Sequence, residues 1–121
     1  MEWDWGEFAC NDFAIIYGFS EGRGGIHFVN NSSHIFMPYG EANIDFLEWK
    51  RINFIRKPIK LHLTTTGKIK MDFYVDLLKA YTIGISNMGK PYLMGKAHGI
   101  VAGKNFESIG FYEHHSIPFL S

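Results

Sequence analysis

Two apolar runs rich in Ile, Val, Phe and Tyr flank a polar turn at Gly103, Lys104 and Asn105, so the stretch from Tyr92 to His115 reads as a β-hairpin. This stretch most constrains the fold, because glycines recur inside both runs, at Gly95, Gly99 and Gly110. Glycine weakens a strand, and its repeated use there marks close backbone approach, strong coiling or a barrel corner. A curved, closing sheet follows more readily than a flat one.

The rest of the chain supplies strands for such a sheet. Met1 to Phe8 is extended, with Trp3, Trp5 and Glu7 on one side and Glu2, Asp4 and Phe8 on the other. Asn11 and Asp12 turn it into Phe13 to Phe19, apolar on both faces. Glu21 to Gly25 has the glycines of a phosphate loop but neither the Lys-Ser/Thr pair nor a following helix, so it reads as a hairpin turn into Ile26 to Val29. Asn30 to Ser33 ends that strand with overlapping glycosylation sequons that have meaning only in a secreted chain. A strand from His34 stops at Pro38, Tyr39 and Gly40.

Asn43 to Arg51 sets Ile44, Phe46 and Glu48 against Asp45, Leu47 and Trp49. Lys50, Arg51, Arg56 and Lys57, around Ile52 to Ile55, read as a solvated basic patch. Ile59, Leu61 and Leu63 then alternate with Lys60, His62 and Thr64. After a turn at Thr65 to Gly67, Ile69, Met71, Phe73 and Val75 alternate with Lys70, Asp72 and Tyr74. From Asp72 to Tyr81 a helical spacing of Phe73, Leu77, Leu78 and Tyr81 competes; the alternation entering from Ile69 and the β-branched Val75 favour strand. Gly84, Asn87, Gly89 and Pro91 mark a loop before the last hairpin. The fold predicted is all-β, an antiparallel up-and-down meander of sequential hairpins, and closure into a barrel of about eight strands leaves room for side chains or one small ligand.

The 121 residues suit a single domain, 1–121. Twelve basic and twelve acidic side chains cancel, so no electrostatic footprint for nucleic acid or an anionic membrane is expected. A lone cysteine, Cys10, and no signal-peptide pattern point to the cytoplasm, and no apolar stretch approaches the ~18 residues of a membrane-spanning helix. The histidines lack metal-site spacing: His114 and His115 are adjacent, and neither a His-x-x-x-His pair nor a second cysteine is present. No Gly-x-Ser-x-Gly elbow supports a hydrolase. Aromatic residues, by contrast, make up 17% of the chain, enough for an aromatic core or a cavity lined by rings.

Trp3-Asp4-Trp5 opening a strand, and the closing pair Tyr92-Leu93-Met94-Gly95 and Gly110-Phe111-Tyr112-Glu113, resemble the lipocalin-like C-terminal domain of carotenoid 1,2-hydratases (hydroxyneurosporene synthases) and tocopherol cyclases. Met94 departs from the family's pattern, which has glutamate there, and the family pairs two barrel-like domains where this chain has room for one. The resemblance implies a lipocalin-like barrel that binds an apolar terpenoid, lipid or polyketide-like molecule. It also implies cofactor-independent hydration, cyclisation or isomerisation, which needs a protonated carboxylic acid and aromatic faces.

Glu113 shares strand parity with Ile109 and Phe111 and is the candidate acid if that face is interior. Tyr112 and His98 are further candidate donors, and Asp4 between its tryptophans is expected to hold structure rather than do chemistry. Trp3, Trp5, Tyr17, Tyr92, Met94 and Phe111 are the candidate lining for the ligand. The alternative is an assembly domain: a lone half of a paired fold would form a homodimer, with Trp3, Trp5, Phe119, Leu120 and the apolar tail Ser116 to Ser121 at the contact.

Overall fold

The computed structural model describes residues 2–82 and 91–116. The strands are β1 Glu2–Ala9, β2 Ala14–Ser20, β3 Arg23–Val29, β4 His34–Pro38, β5 Ala42–Ile52, β6 Ile55–Thr65, β7 Met71–Thr82, β8 Pro91–Val101 and β9 Lys104–Ser116. They form one antiparallel sheet in the order β4-β3-β2-β1-β9-β8-β7-β6-β5, curled into a half-barrel. The chain is thus the all-β meander its alternation predicts. At the corner between its outer strands, β4 and β5, Tyr39 and Ala42 make an isolated bridge. Of the expected loop marked by Gly84, Asn87, Gly89 and Pro91, residues 83–90 lie outside the described residues, and Pro91 already opens β8.

Alternation decides which side chains fill the curl. Phe8, Ile15, Tyr17, Ile26, Leu61, Leu63, Phe73, Val75, Leu93 and Tyr112 all lie buried on the concave face. Each fully buried Val, Leu, Ile or Phe side chain contributes about 1.5–3 kcal/mol. Asp4 and His114 share this face, also buried, and Trp3 and Trp5 point the other way.

Three of the hairpins use two-residue turns with both residues at positive φ: Glu21-Gly22 (46° and 78°), Asn53-Phe54 (51° and 66°) and Ala102-Gly103 (54° and 77°). This geometry matches the right-handed twist of the flanking strands. The last turn therefore sits one residue earlier than the sequence reading placed it, with Lys104 and Asn105 already in β9.

Two β-bulges break the simple parity. In β5 the register slips between Phe46, Glu48 and Trp49, so Trp49 turns inward beside Phe46, their ring centroids 5.1 Å apart, rather than sharing the outer face with Asp45 and Leu47. In β7 the slip falls between Leu77 and Lys79, within the segment whose spacing imitates a helix. The basic patch is also partly corrected: Lys57 is buried and donates to the backbone carbonyl of His114.

Glycines seat the two interior tyrosines. Gly6 lies opposite Tyr17 on one side and Tyr112 on the other. A Cβ on Gly6 would stand 2.3 Å from the Tyr17 ring, and one on Gly95 2.9 Å from that of Tyr112. Gly6→Ala should therefore destabilise the fold by about 1–3 kcal/mol in urea unfolding through overpacking. Gly18→Ala, whose methyl would meet nothing within 4 Å, should stay within about 0.5 kcal/mol of wild type. Equal losses at the two positions would contradict this packing.

Candidate functional site

The β1–β9 ladder sorts the predicted site residues onto two faces. It pairs Trp3 with His115, Asp4 with His114, Trp5 with Glu113 and Gly6 with Tyr112. Successive residues of a strand face opposite ways, so Tyr112 and His114 are interior with Tyr17, while Glu113 joins Trp3, Trp5, Tyr92 and Phe111 on the convex face. The interior position that the acid role was conditioned on is therefore not where Glu113 lies. The middle of the concave face is packed core.

On the convex face the strands bring Trp5, Tyr81, Tyr92, Phe111 and Glu113 around a cleft of about 400 Å3. Trp5 Nε1 donates to Glu113 Oε2 at 2.9 Å, and His115 Nε2 lies 2.7 Å from the same oxygen. His115 is held in turn by stacking on Trp3, centroids 4.9 Å apart and planes 22° from parallel. The Glu113 side chain is consequently 17% exposed, and its Oε1 accepts no hydrogen bond among the described residues.

Four sequence-predicted residues thus converge: Trp5, Tyr92, Phe111 and Glu113. Trp3 supports them from behind His115, and Met94, opposite Phe111 in the β8–β9 register, sits beside the cleft rather than in its lining. Tyr81, which the sequence reading left on a competing helical face, is the residue missed. The Leu77/Lys79 bulge resets the parity that would have revealed it. His98 belongs elsewhere on the convex face, 2.5 Å from Asp76 and stacked with Tyr74, which in turn stacks on His62.

Inside the half-barrel a polar cluster holds the core. His114 Nδ1 lies 2.8 Å from Asp4 Oδ1, both side chains buried, and the His114 ring meets Trp49 edge-on at 5.1 Å. Tyr112 donates to the Pro58 carbonyl at 2.8 Å. The Tyr17 hydroxyl is buried without a partner among the described residues. A second cleft, about 470 Å3, opens by the β2–β3 turn and reaches Asp4, but Glu2, Glu21 and Ser20 also line it. Phe19, Ile44 and Phe46 line it too, but its walls are more polar than those of the convex cleft and suit an apolar ligand less well. No cluster of three or more His, Cys, Asp or Glu that could hold a metal occurs among the described residues.

Compared with protein-family models, curated proteins and solved structures, the chain matches none.

Burial holds the Tyr17 phenol well above its ordinary pKa, with the Asp4 carboxylate and Tyr112 adding to the shift. Burial, then the Asp76 carboxylate, raises Tyr112 in the same direction. Both phenols keep their protons in the folded chain at a pH where unfolded tyrosine loses them. The fold therefore keeps its full stability, as far as these phenols are concerned, below pH about 10 and loses it as the pH rises beyond that. Tyr17→Phe should raise stability at neutral pH by about 1–3 kcal/mol, by removing an unpaired buried hydroxyl, and should flatten the alkaline loss. Tyr112→Phe should cost about 0.5–1.5 kcal/mol, since a hydrogen bond goes with the hydroxyl. Guanidinium unfolding at neutral and alkaline pH reads both effects, and a Tyr17→Phe protein less stable than wild type would refute the first.

Proposed function

We propose that this protein binds an apolar small molecule carrying a hydrogen-bond donor, such as a terpenoid or other lipid alcohol, in the convex cleft. The observation that carries the reading is the lining itself: four aromatic rings around one carboxylate whose Oε1 accepts no hydrogen bond among the described residues. Ligand sites of roughly 300–1,000 Å3 commonly combine an apolar wall with a few fixed polar groups, and the cleft, at about 400 Å3, falls in that range. Apolar area supplies affinity while Glu113 sets the orientation of the donor end.

This reading agrees in kind with the ligand class that the family resemblance implies, though it places the ligand outside the curl. Hydration, cyclisation or isomerisation with Glu113 as acid, which the resemblance implies, would instead require the carboxyl in its protonated form, donating its proton to the ligand and recovering it in a later step. Homodimer formation through the tail lacks comparable support, because the tail from residue 117 lies outside the described residues.

Retinol, an apolar polyene alcohol, is a suitable probe because it quenches tryptophan fluorescence and Trp5 lines the cleft. Wild-type protein should prefer retinol to retinal by roughly tenfold, since the aldehyde offers Glu113 no donor and a hydrogen bond to a charged group contributes about 1.5–3 kcal/mol. Glu113→Ala should erase that preference, and Phe111→Ala should weaken both ligands about tenfold through lost apolar contact. Retinol binding that neither substitution changes would overturn the assignment.

A further inference from the structure

The neutral chain is not neutral locally. From Trp49 to Met71 the sequence carries seven of its twelve cations, Lys50, Arg51, Arg56, Lys57, Lys60, Lys68 and Lys70, and no acidic residue. Within this segment the β5–β6 hairpin sets Arg51 directly opposite Arg56. Like charges in directly opposed positions destabilise a hairpin, so the arrangement suits a counter-charge supplied from outside. Lys50, Arg51 and Arg56 are all exposed.

The apex of the same hairpin is Phe54, 95% exposed and held at φ 66°, with Asn53 before it at 51°. Left-handed backbone costs a residue bearing a Cβ roughly 1–2 kcal/mol that glycine avoids. Packing within the protein gives the ring no compensation, and strain with a bare aromatic at a tip points to a contact made with something else. Ile52 and Ile55, half-buried, widen the apolar base beneath it.

We infer that the β5–β6 hairpin docks the protein on an anionic lipid surface, Phe54 entering the acyl boundary while Lys50, Arg51 and Arg56 meet the headgroups. An apolar wedge ringed by cations is the arrangement by which peripheral proteins combine burial with attraction to anionic lipid. Single-stranded nucleic acid instead asks for cations tracking a groove, with rings positioned for successive bases, and here one ring stands alone at an apex. Docking of this kind needs no spanning helix, and none is found among the described residues. The inference is independent of the convex cleft, although the register of β6 to β9 carries Tyr81, Tyr92 and Glu113 toward the same end of the sheet.

Co-sedimentation of the full chain with phosphatidylcholine vesicles, with and without phosphatidylserine, tests the inference. Binding should require phosphatidylserine and fall with added salt. The double substitution Lys50→Gln, Arg51→Gln should weaken it roughly 25-fold, about fivefold for each cation removed near the surface. Phe54→Gly should weaken it on the order of tenfold or more while melting at the same or a higher temperature, because glycine relieves the left-handed turn. That pairing separates lost docking from lost folding. Binding to neutral vesicles as strong as to anionic ones, or vesicle binding unchanged by Phe54→Gly, overturns the inference. So does single-stranded RNA binding without vesicle binding, or a Phe54→Gly protein whose only change is lost self-association.

Discussion

The antiparallel ladder between the first strand and the last holds both faces of this molecule in place. It runs from the Glu2–Ser116 pair to the Glu7–Phe111 pair and joins the meander β1–β4 to the meander β5–β9 in mid-sheet. Closing so long a loop costs conformational entropy that short hairpins avoid, and the ladder offsets it on both faces at once. Inside, it sets Asp4 against His114 and Gly6 against Tyr112; outside, Trp3 against His115 and Trp5 against Glu113. A slip of one residue would exchange the two sets, carrying the Asp4 carboxylate to solvent and the Trp5 indole into the core. The buried Asp4–His114 pair opposes such a slip, because either group alone in the core would be costly.

The same ladder sorts the aromatic rings between the two faces. Large rings are seated on glycines along the concave face, Tyr17 over Gly6 and Tyr112 over Gly95, and they pack the middle of the curl. The convex face carries the aromatic surplus: Trp5, Tyr92 and Phe111 remain more than a third exposed. Their indole and phenyl edges surround a carboxylate already fixed by Trp5 and His115. Orientation of that carboxylate therefore precedes any ligand, which lowers the entropy lost on binding.

Charge follows a similar division of labour. Histidine–carboxylate pairs tie neighbouring strands on the convex face, His62 with Asp72 and His98 with Asp76, so most acidic groups near the middle of the sheet have partners within it. Two exposed cations of the β5–β6 hairpin turn to other partners: Arg51 gives its side chain to the Phe54 carbonyl and Arg56 lies over the Trp49 ring. The turn thus presents positive charge and an apolar tip together, at one end of the sheet.

Local alternation was enough to determine a great deal: an all-β meander, the pairing of consecutive strands, and the inward sets Leu61 and Leu63, Met71, Phe73 and Val75. A strand's two faces are written into every second residue, and turn chemistry marks most of its ends. Which face is concave was not written there. Trp3, Trp5 and Glu113 read as well inside as outside, and only the β1–β9 register, joining residues more than a hundred positions apart, turned them outward together. Bulges hid the rest. The slips at Glu48 and Leu77 moved Trp49 inward and obscured Tyr81, because one extra residue inverts a period-two pattern without changing composition. Lys57 read as solvated from its neighbours, and the tertiary structure buried it, because the His114 carbonyl of a distant strand supplied the acceptor its ammonium needs.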